Sequence, residues 1–179
     1  GRLSHLAEIL LDMTGIQTIE RSETISLAEL TDEVLCDLTS IAEQKQIKLI
    51  QEDGDCTITG SYLLLYRAVY NLVENAIKYN HTDGKVTVSA ERKRKEVVLT
   101  IADTGNGIDE TFRERIFEPF FRIDKSRSRE LGGVGLGLAM VREVVRVHDG
   151  TIEVYTNKHS GTTFEVKMSI ERLTIKSQV

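Results

Sequence analysis

Three stretches of the chain combine residue types at spacings that can do chemistry. The first is Asn71-Leu-Val-Glu-Asn75-Ala-Ile-Lys78-Tyr79. At about 100° per residue, a helix brings positions 71, 75 and 78 to within roughly 60° of one another. Two carboxamides and an ammonium would then share one face. Carboxamide oxygens are hard, neutral ligands that suit Mg²⁺, an ion that keeps several waters and completes its shell on nucleotide phosphates. Lysine neutralises phosphate as a point charge, and a tyrosine such as Tyr79 can stack on a base. The competing reading is an amphipathic helix with these residues at its border, since asparagine is a poor helix former but common on surfaces.

The second stretch is Ile101-Ala-Asp103-Thr-Gly105-Asn-Gly107-Ile108. A strand ends here, and two glycines let the backbone turn sharply and approach a ligand. Asp103 would be delivered into a pocket. A carboxylate only accepts hydrogen bonds, so it can hold the exocyclic amine of adenine and would repel the oxygen of guanine. A simple Asp-Thr-Gly turn is the alternative. The third stretch, Gly132-Gly133-Val134-Gly135-Leu136-Gly137-Leu138, runs directly into a helix. Glycines that open a helix leave N–H groups and the positive end of the helix dipole facing one point, an anion site. No Gly-Lys-Ser/Thr follows, so it is not a P-loop, and no strand immediately precedes it as in a dinucleotide fingerprint. A flexible hinge is the alternative.

The elements that must position these residues are legible from periodicity and punctuation. Ser26 and Glu29 form a capping box ahead of the helical run Leu27-Leu30-Val34-Leu38-Ile41. Residues 61–79 read as a strong helix, and residues 138–148 as another that stops at Gly150. Residues 86–90 and 97–102 alternate as an antiparallel pair joined by the basic turn Arg92-Lys-Arg-Lys95. Residues 151–155 and 162–168 make a last strand pair. Residues 47–51 and 56–59 read as short strands around an Asp53-Gly54-Asp55 turn. Residues 17–26 read as a polar stretch. Without strict βαβ alternation, the expected class is an α+β two-layer domain with a mainly antiparallel sheet.

Taken in order, Asn71–Tyr79, Asp103–Gly107, Phe117-Glu-Pro-Phe120-Phe121-Arg122 and Gly133–Leu138 closely resemble the N, G1, F and G2 boxes of the ATP-binding catalytic domain of sensor histidine kinases. These kinases share a superfamily with gyrase, Hsp90 and MutL. The resemblance covers about residues 25–170. It implies a Bergerat-type sandwich, three helices on one face of a mixed, mostly antiparallel five-stranded sheet, with a mobile lid over ATP. It also implies that Asn75 with Asn71 holds Mg²⁺, that Lys78 touches phosphate, and that Tyr79 lines the adenine bound by Asp103. Gly105, Gly107 and Ile108 would shape the pocket, and the amides of Gly133, Val134, Gly135, Leu136, Gly137 and Leu138 would hold the phosphates.

By the same resemblance residues 122–129 form a basic lid, with Arg122, Lys125, Arg127 and Arg129 against Asp124. Phe117, Phe120 and Phe121 would anchor one end of it in the apolar layer, with Phe120 also at the nucleotide. Phosphoryl transfer relies on positioning and charge stabilisation, so cations on a closing loop make physical sense, and Arg122 is the best single candidate. Glu74 could assist catalysis or support the site from behind. Val134 stands where such kinases often have Thr or Ser, and Asn71 stands where the hydrolytic relatives place a catalytic Glu. A serine kinase of the anti-sigma type and a docking module without catalysis are the rivals.

None of the four histidines has the His-Glu-x-x-x-Pro context of a phosphoacceptor in this family. Residues 1–20 instead read as the remnant of a second dimerisation helix and a linker, on the unfinished apolar stripe Leu3-Leu6-Leu10-Met13. Residues 21–172 would be the ATP-binding domain and 173–179 a tail. The acceptor would lie on another domain of the same full-length protein, with a response regulator as the next partner. The fragment would be monomeric and would not label itself. Composition is consistent with this. At 179 residues, 40% hydrophobic and 28% charged, the chain is one globular domain rather than a disordered one. No apolar run is long enough to span a bilayer, and two cysteines without a partner pattern suit a reducing, cytoplasmic setting. A net charge of -5 argues against nucleic acid. It averages a net of about -7 over residues 1–90 and +2 over 91–179.

Overall fold

The computed structural model describes residues 15–52, 54–123, 135–157 and 160–170. Its sheet has five strands in the order β2-β4-β5-β7-β6, where β2 is Lys48–Gln51, β4 Lys85–Lys93, β5 Glu96–Asp103, β6 Gly150–Thr156 and β7 Thr162–Ser169. β2 pairs parallel with β4 and every other pairing is antiparallel. Alternation sets the layers. Val86 and Val88 of β4, Leu99 and Ile101 of β5, and Phe164, Val166 and Met168 of β7 are buried. Their neighbours Thr87, Ser89, Thr100, Glu165 and Lys167 are only partly covered. One face of the sheet therefore carries the core and the other is polar.

Three helices cover the apolar face. α1 (Leu27–Gln44) starts where the Ser26 hydroxyl accepts the Glu29 N–H at 3.3 Å, and it buries Leu27, Leu30, Val34 and Leu38 completely. α2 (Tyr62–Lys78) starts in the same way, with Ser61 accepting from the Leu64 N–H at 3.3 Å. It buries Leu64, Leu65, Ala68, Leu72, Val73 and Ala76 between its neighbours, and a side chain the size of Leu72 contributes about 1.5–3 kcal/mol by that burial. α3 (Gly137–Val147) buries Ala139, Val141, Val144 and Val145 but has no side-chain cap at its N-terminus.

One expectation is corrected, and one pairing that the sequence left open is defined. Residues 47–51 and 56–59 do not pair with each other. β2 joins the edge of the main sheet, whereas β3 (Thr57–Gly60) pairs antiparallel with β1 (Glu23–Ser26) in a separate two-stranded sheet. Part of the polar stretch 17–26 is thus a strand, held by distant backbone bonds rather than by its own pattern. The apolar stripe of residues 3–13 lies outside the described residues. Among the described residues, no helix is long and apolar enough to cross a membrane.

Candidate functional site

β5 is the middle strand of the sheet and delivers Asp103 at its C-terminal end. The carboxylate is 8% exposed. Its Oδ1 accepts the Gly105 N–H at 2.8 Å and the Thr162 N–H at 3.1 Å. Both bonds fall on one oxygen, which fixes the rotation of the carboxylate. Burial pushes this carboxyl above the ordinary carboxylate range, while the two backbone N–H groups pull it part of the way back.

The loop after Asp103 is held at several points. Thr104 Oγ1 accepts the Lys85 N–H at 2.9 Å and donates to Asn80 Oδ1 at 3.1 Å, tying the loop to the end of α2. A Cβ at Gly105 would come within 2.6 Å of the Tyr79 carbonyl oxygen, so only glycine lets strand end and helix end close on each other. Gly107 has φ +76. Ile108 N–H donates to Thr156 Oγ1 at 3.2 Å, and that hydroxyl donates to the Ile108 carbonyl at 2.7 Å. The Ser160 hydroxyl donates to the Gly105 carbonyl at 2.9 Å, and Asn157 Nδ2 to the Asp103 carbonyl at 3.1 Å. The β6–β7 turn thus holds the backbone of the Asp103 loop from behind.

On α2, Asn71, Glu74, Asn75 and Lys78 are half-buried and Tyr79 is exposed. Asn71 Nδ2 donates to the Arg67 carbonyl at 3.3 Å. A Cβ on Gly137, the first residue of α3, would overlap Asn71 Oδ1. Asn71 and the start of α3 are therefore brought together. Lys78 Nζ lies 3.0 Å from Glu74 Oε1 one turn earlier. Glu74 consequently stands as the partner of Lys78 in this structure.

The aromatic segment behaves less uniformly than expected. Phe117 is buried against Phe164, with ring centres 6.3 Å apart, and the Arg142 guanidinium of α3 lies 5.7 Å from its ring centre. Phe121 packs on Phe112 at 5.9 Å under the Arg115 guanidinium at 4.4 Å. Phe120, expected to anchor in the apolar layer, is instead 53% exposed. Its φ is +65 and its N–H donates to the Gly135 carbonyl at 2.8 Å, which turns the ring outward. Gly135, at φ +81, allows this approach, because a Cβ there would come within 3.0 Å of the Phe120 carbonyl carbon. Arg122 is half-buried beside this pair. Leu136 is buried, and Gly137 and Leu138 begin α3, whose N-cap residue Leu136 makes no side-chain cap bond. Gly133, Val134 and the lid residues 124–129 lie outside the described residues.

The sequence reading missed Thr162, Thr156, Asn157 and Gly161. A signal was present in the polar turn Asn157–Thr163, where Gly161 takes φ +105 against the Asp103 carbonyl. It looked like an ordinary hairpin connection because its partner is far away in the chain.

Three helices on a mixed five-stranded sheet match the fold of histidine kinase catalytic domains. Residues 60–172 match the histidine kinase-, DNA gyrase B- and HSP90-like ATPases, and the chain belongs to that family. SenX3 of Mycobacterium tuberculosis, a sensor-like histidine kinase, is 33% identical over 172 residues, covering 94% of this chain and 42% of that protein. The chain therefore spans less than half the length of this relative. Among solved structures, the mycobacterial sensor histidine kinase MprB is 28% identical with a TM-score of 0.72, over 83% of this chain and 97% of that one. Full-length ShkA in complex with AMPPNP is 25% identical with a TM-score of 0.81, over 95% of this chain and 36% of that one.

Proposed function

We propose that the chain is the ATP-binding half of a sensor histidine kinase and transfers the γ-phosphoryl group of ATP to a histidine on a dimerisation domain. In that step the bond from the γ-phosphorus to the bridging oxygen of ADP breaks and a phosphorus–nitrogen bond forms, with ADP leaving. The observation that carries the reading is the Asp103 carboxylate, buried and pinned through Oδ1 by Gly105 and Thr162 so that Oδ2 can accept the adenine amine. Tyr79 would cover the base, Gly105, Gly107 and Ile108 would shape its pocket, and Phe120 would lie at its edge. The N–H groups at the start of α3 would hold phosphate, with Gly133, Val134 and Gly135 completing the loop.

The donor set fits Mg²⁺ as a companion of the phosphates rather than as a resident ion. No cluster of three or more His, Cys, Asp or Glu able to hold a metal occurs among the described residues. The neutral oxygens of Asn75 and Asn71 would hold it, and the ion when bound neutralises charge on the phosphates. Lys78 would exchange Glu74 for a phosphate, and Arg122 would bring charge from the lid side. Residues 1–20 would be the end of the second dimerisation helix and its linker, residues 21–172 the catalytic domain and residues 173–179 a tail. The phosphorylated histidine would pass its phosphate to a response regulator. The structural neighbour MprB is named a sensor histidine kinase, and the neighbour ShkA is in complex with AMPPNP.

The test mixes the chain with the histidine-bearing dimerisation domain of its full-length protein and labelled ATP. Acid-labile, base-stable phosphate on that domain is expected, with none on the chain alone. No transfer to an acceptor that a related kinase can label would leave a nucleotide-sensing module instead.

A further inference from the structure

The last turn of α2 carries Asn75, Lys78 and Tyr79, yet a helix end offers carbonyl groups with no partner of their own. Here the Lys78 carbonyl, and the Ile77 carbonyl that also accepts the Asn80 N–H at 3.3 Å, are met by the residue that closes another helix. Lys45 Nζ donates to the Lys78 carbonyl at 2.6 Å and lies 3.4 Å from the Ile77 carbonyl.

The position of Lys45 is itself well determined. It is the residue at which α1 stops, and the helix closes in a Schellman arrangement. The Ile47 N–H donates to the Ala42 carbonyl at 2.8 Å and the Gln46 N–H to the Glu43 carbonyl at 3.0 Å. Gln46 takes the left-handed conformation at φ +56, and Ile47 and Ala42 are both buried, so the turn is locked on its apolar side. Burial, and secondly the nearby Lys78 ammonium, hold the Lys45 amine below the ordinary lysine range. A cation at a helix C-terminus also meets the negative end of the dipole.

From the other side, Asn80 is braced by Thr104 and by the Lys85 carbonyl, to which its Nδ2 donates at 3.1 Å. The last turn of α2 is thus clamped between α1 and the β4–β5 strand ends.

We propose that Lys45 is a positioning residue of the nucleotide site, holding the carbonyl end of α2 so that Lys78 and Tyr79 stand where phosphate and base require them. This rests on the nucleotide reading above. Lys45 touches no ligand itself. It acts through the main-chain carbonyls of Ile77 and Lys78, the peptide groups that lead into Lys78 and Tyr79.

The experiment is calorimetric titration of the chain with Mg²⁺-ATP, with the thermal midpoint of each variant recorded. Lys45→Met is expected to weaken binding about five- to tenfold, the scale of one ordinary hydrogen bond rather than a charged one, because Lys45 acts at one remove from the ligand. Lys45→Arg, which keeps both donors and the charge, is expected to bind within about twofold of the unaltered chain. The decisive arm is the double-mutant cycle with Lys78→Met. If Lys45 acts through Lys78, the double variant binds no more weakly than the worse single variant. Losses that multiply, unchanged affinity in a folded Lys45→Met, or equal losses in the Arg and Met variants would each overturn the proposal. Should Lys45→Met melt too low to titrate, Lys45→Gln, a neutral donor, is put through the same cycle under the same criteria. If the unaltered chain binds no ATP, the nucleotide reading itself fails and this proposal falls with it. Unaltered binding with unaffected variants overturns only the role of Lys45.

Discussion

Replacing Asp103 with asparagine keeps the size of the side chain and removes a charge and one acceptor. In the folded protein the Gly105 and Thr162 N–H groups point at Oδ1 from 2.8 and 3.1 Å. The asparagine oxygen must therefore take that place, which puts its NH₂ where Oδ2 was. A donor then faces the adenine amine, also a donor. A hydrogen bond to a charged group contributes about 1.5–3 kcal/mol, so ATP affinity should fall by about ten- to a hundredfold. GTP should gain relative to ATP, because the new NH₂ can donate to the guanine oxygen. Stability should move the other way. The folded pKa is raised mainly by burial, so the folded chain binds a proton more tightly than the unfolded one. Unfolding free energy consequently decreases as pH rises from the ordinary carboxylate range through the raised folded value, and the penalty is fully present above it. Asparagine removes that penalty. Without ligand, Asp103→Asn should melt at or above the unaltered chain at neutral pH and lose the decline across that window. Calorimetry with ATP and GTP, paired with thermal melts over pH, reads both halves. Unchanged ATP affinity would refute the adenine assignment, and a large fall in melting temperature would show that the carboxylate is mainly structural.

Two further outcomes follow from neighbouring geometry. Asn75→Ala should abolish most of the increase in ATP affinity that Mg²⁺ confers while sparing the metal-free affinity. Titration with Mg²⁺ and with a chelator reads this, and an intact increase places the metal ligand elsewhere. Gly161→Ala forces a side chain to φ +105 and into the Asp103 carbonyl, and should destabilise the fold by about 1–3 kcal/mol or more in denaturant unfolding. A denaturation curve that overlays that of the unaltered chain would contradict the close approach.

What the sequence showed and what it hid divide by the range of the interactions. α1 and α2 were legible because the Ser26 capping box of α1 and the apolar stripes of both helices are local. β1 was not. Glu23–Ser26 has little apolar pattern, and it is a strand only because β3, more than 30 residues later, supplies its hydrogen bonds. The exchange of partners between β2 and β3 was hidden for the same reason, since a shared turn suggests a hairpin until the register is known. At the site, Asp103 and Gly105 announced themselves through the glycine spacing. The Thr162 N–H that fixes the carboxylate is 59 positions away, and Lys45 works on main-chain carbonyls 32 and 33 positions away, so no side-chain pattern marks either one. Phe120 looked like its neighbours Phe117 and Phe121. Only its left-handed backbone and its bond to Gly135 turn it away from the core.

The acidic balance of the chain does not oppose a polyanionic ligand, because of where the charges sit. Glu33 and Asp37 of α1 accept the hydroxyls of Tyr62 and Tyr66 near the start of α2. Burial and then Glu33 push the Tyr62 hydroxyl up to about 12, so it remains a donor at neutral pH. From Tyr66 to Lys78 the helix rises about 18 Å at 1.5 Å per residue, more than two screening lengths of about 8 Å at physiological salt. A ligand at the far end of α2 is therefore largely screened from these carboxylates. There it would meet Lys78, which would exchange its Glu74 partner for phosphate, with Lys45 behind it, and the start of α3 beside Asn71. Local field, not net charge, decides whether phosphate is welcome. Affinity for ATP should thus respond far more to a charge change at position 78 than to one at position 33 or 37.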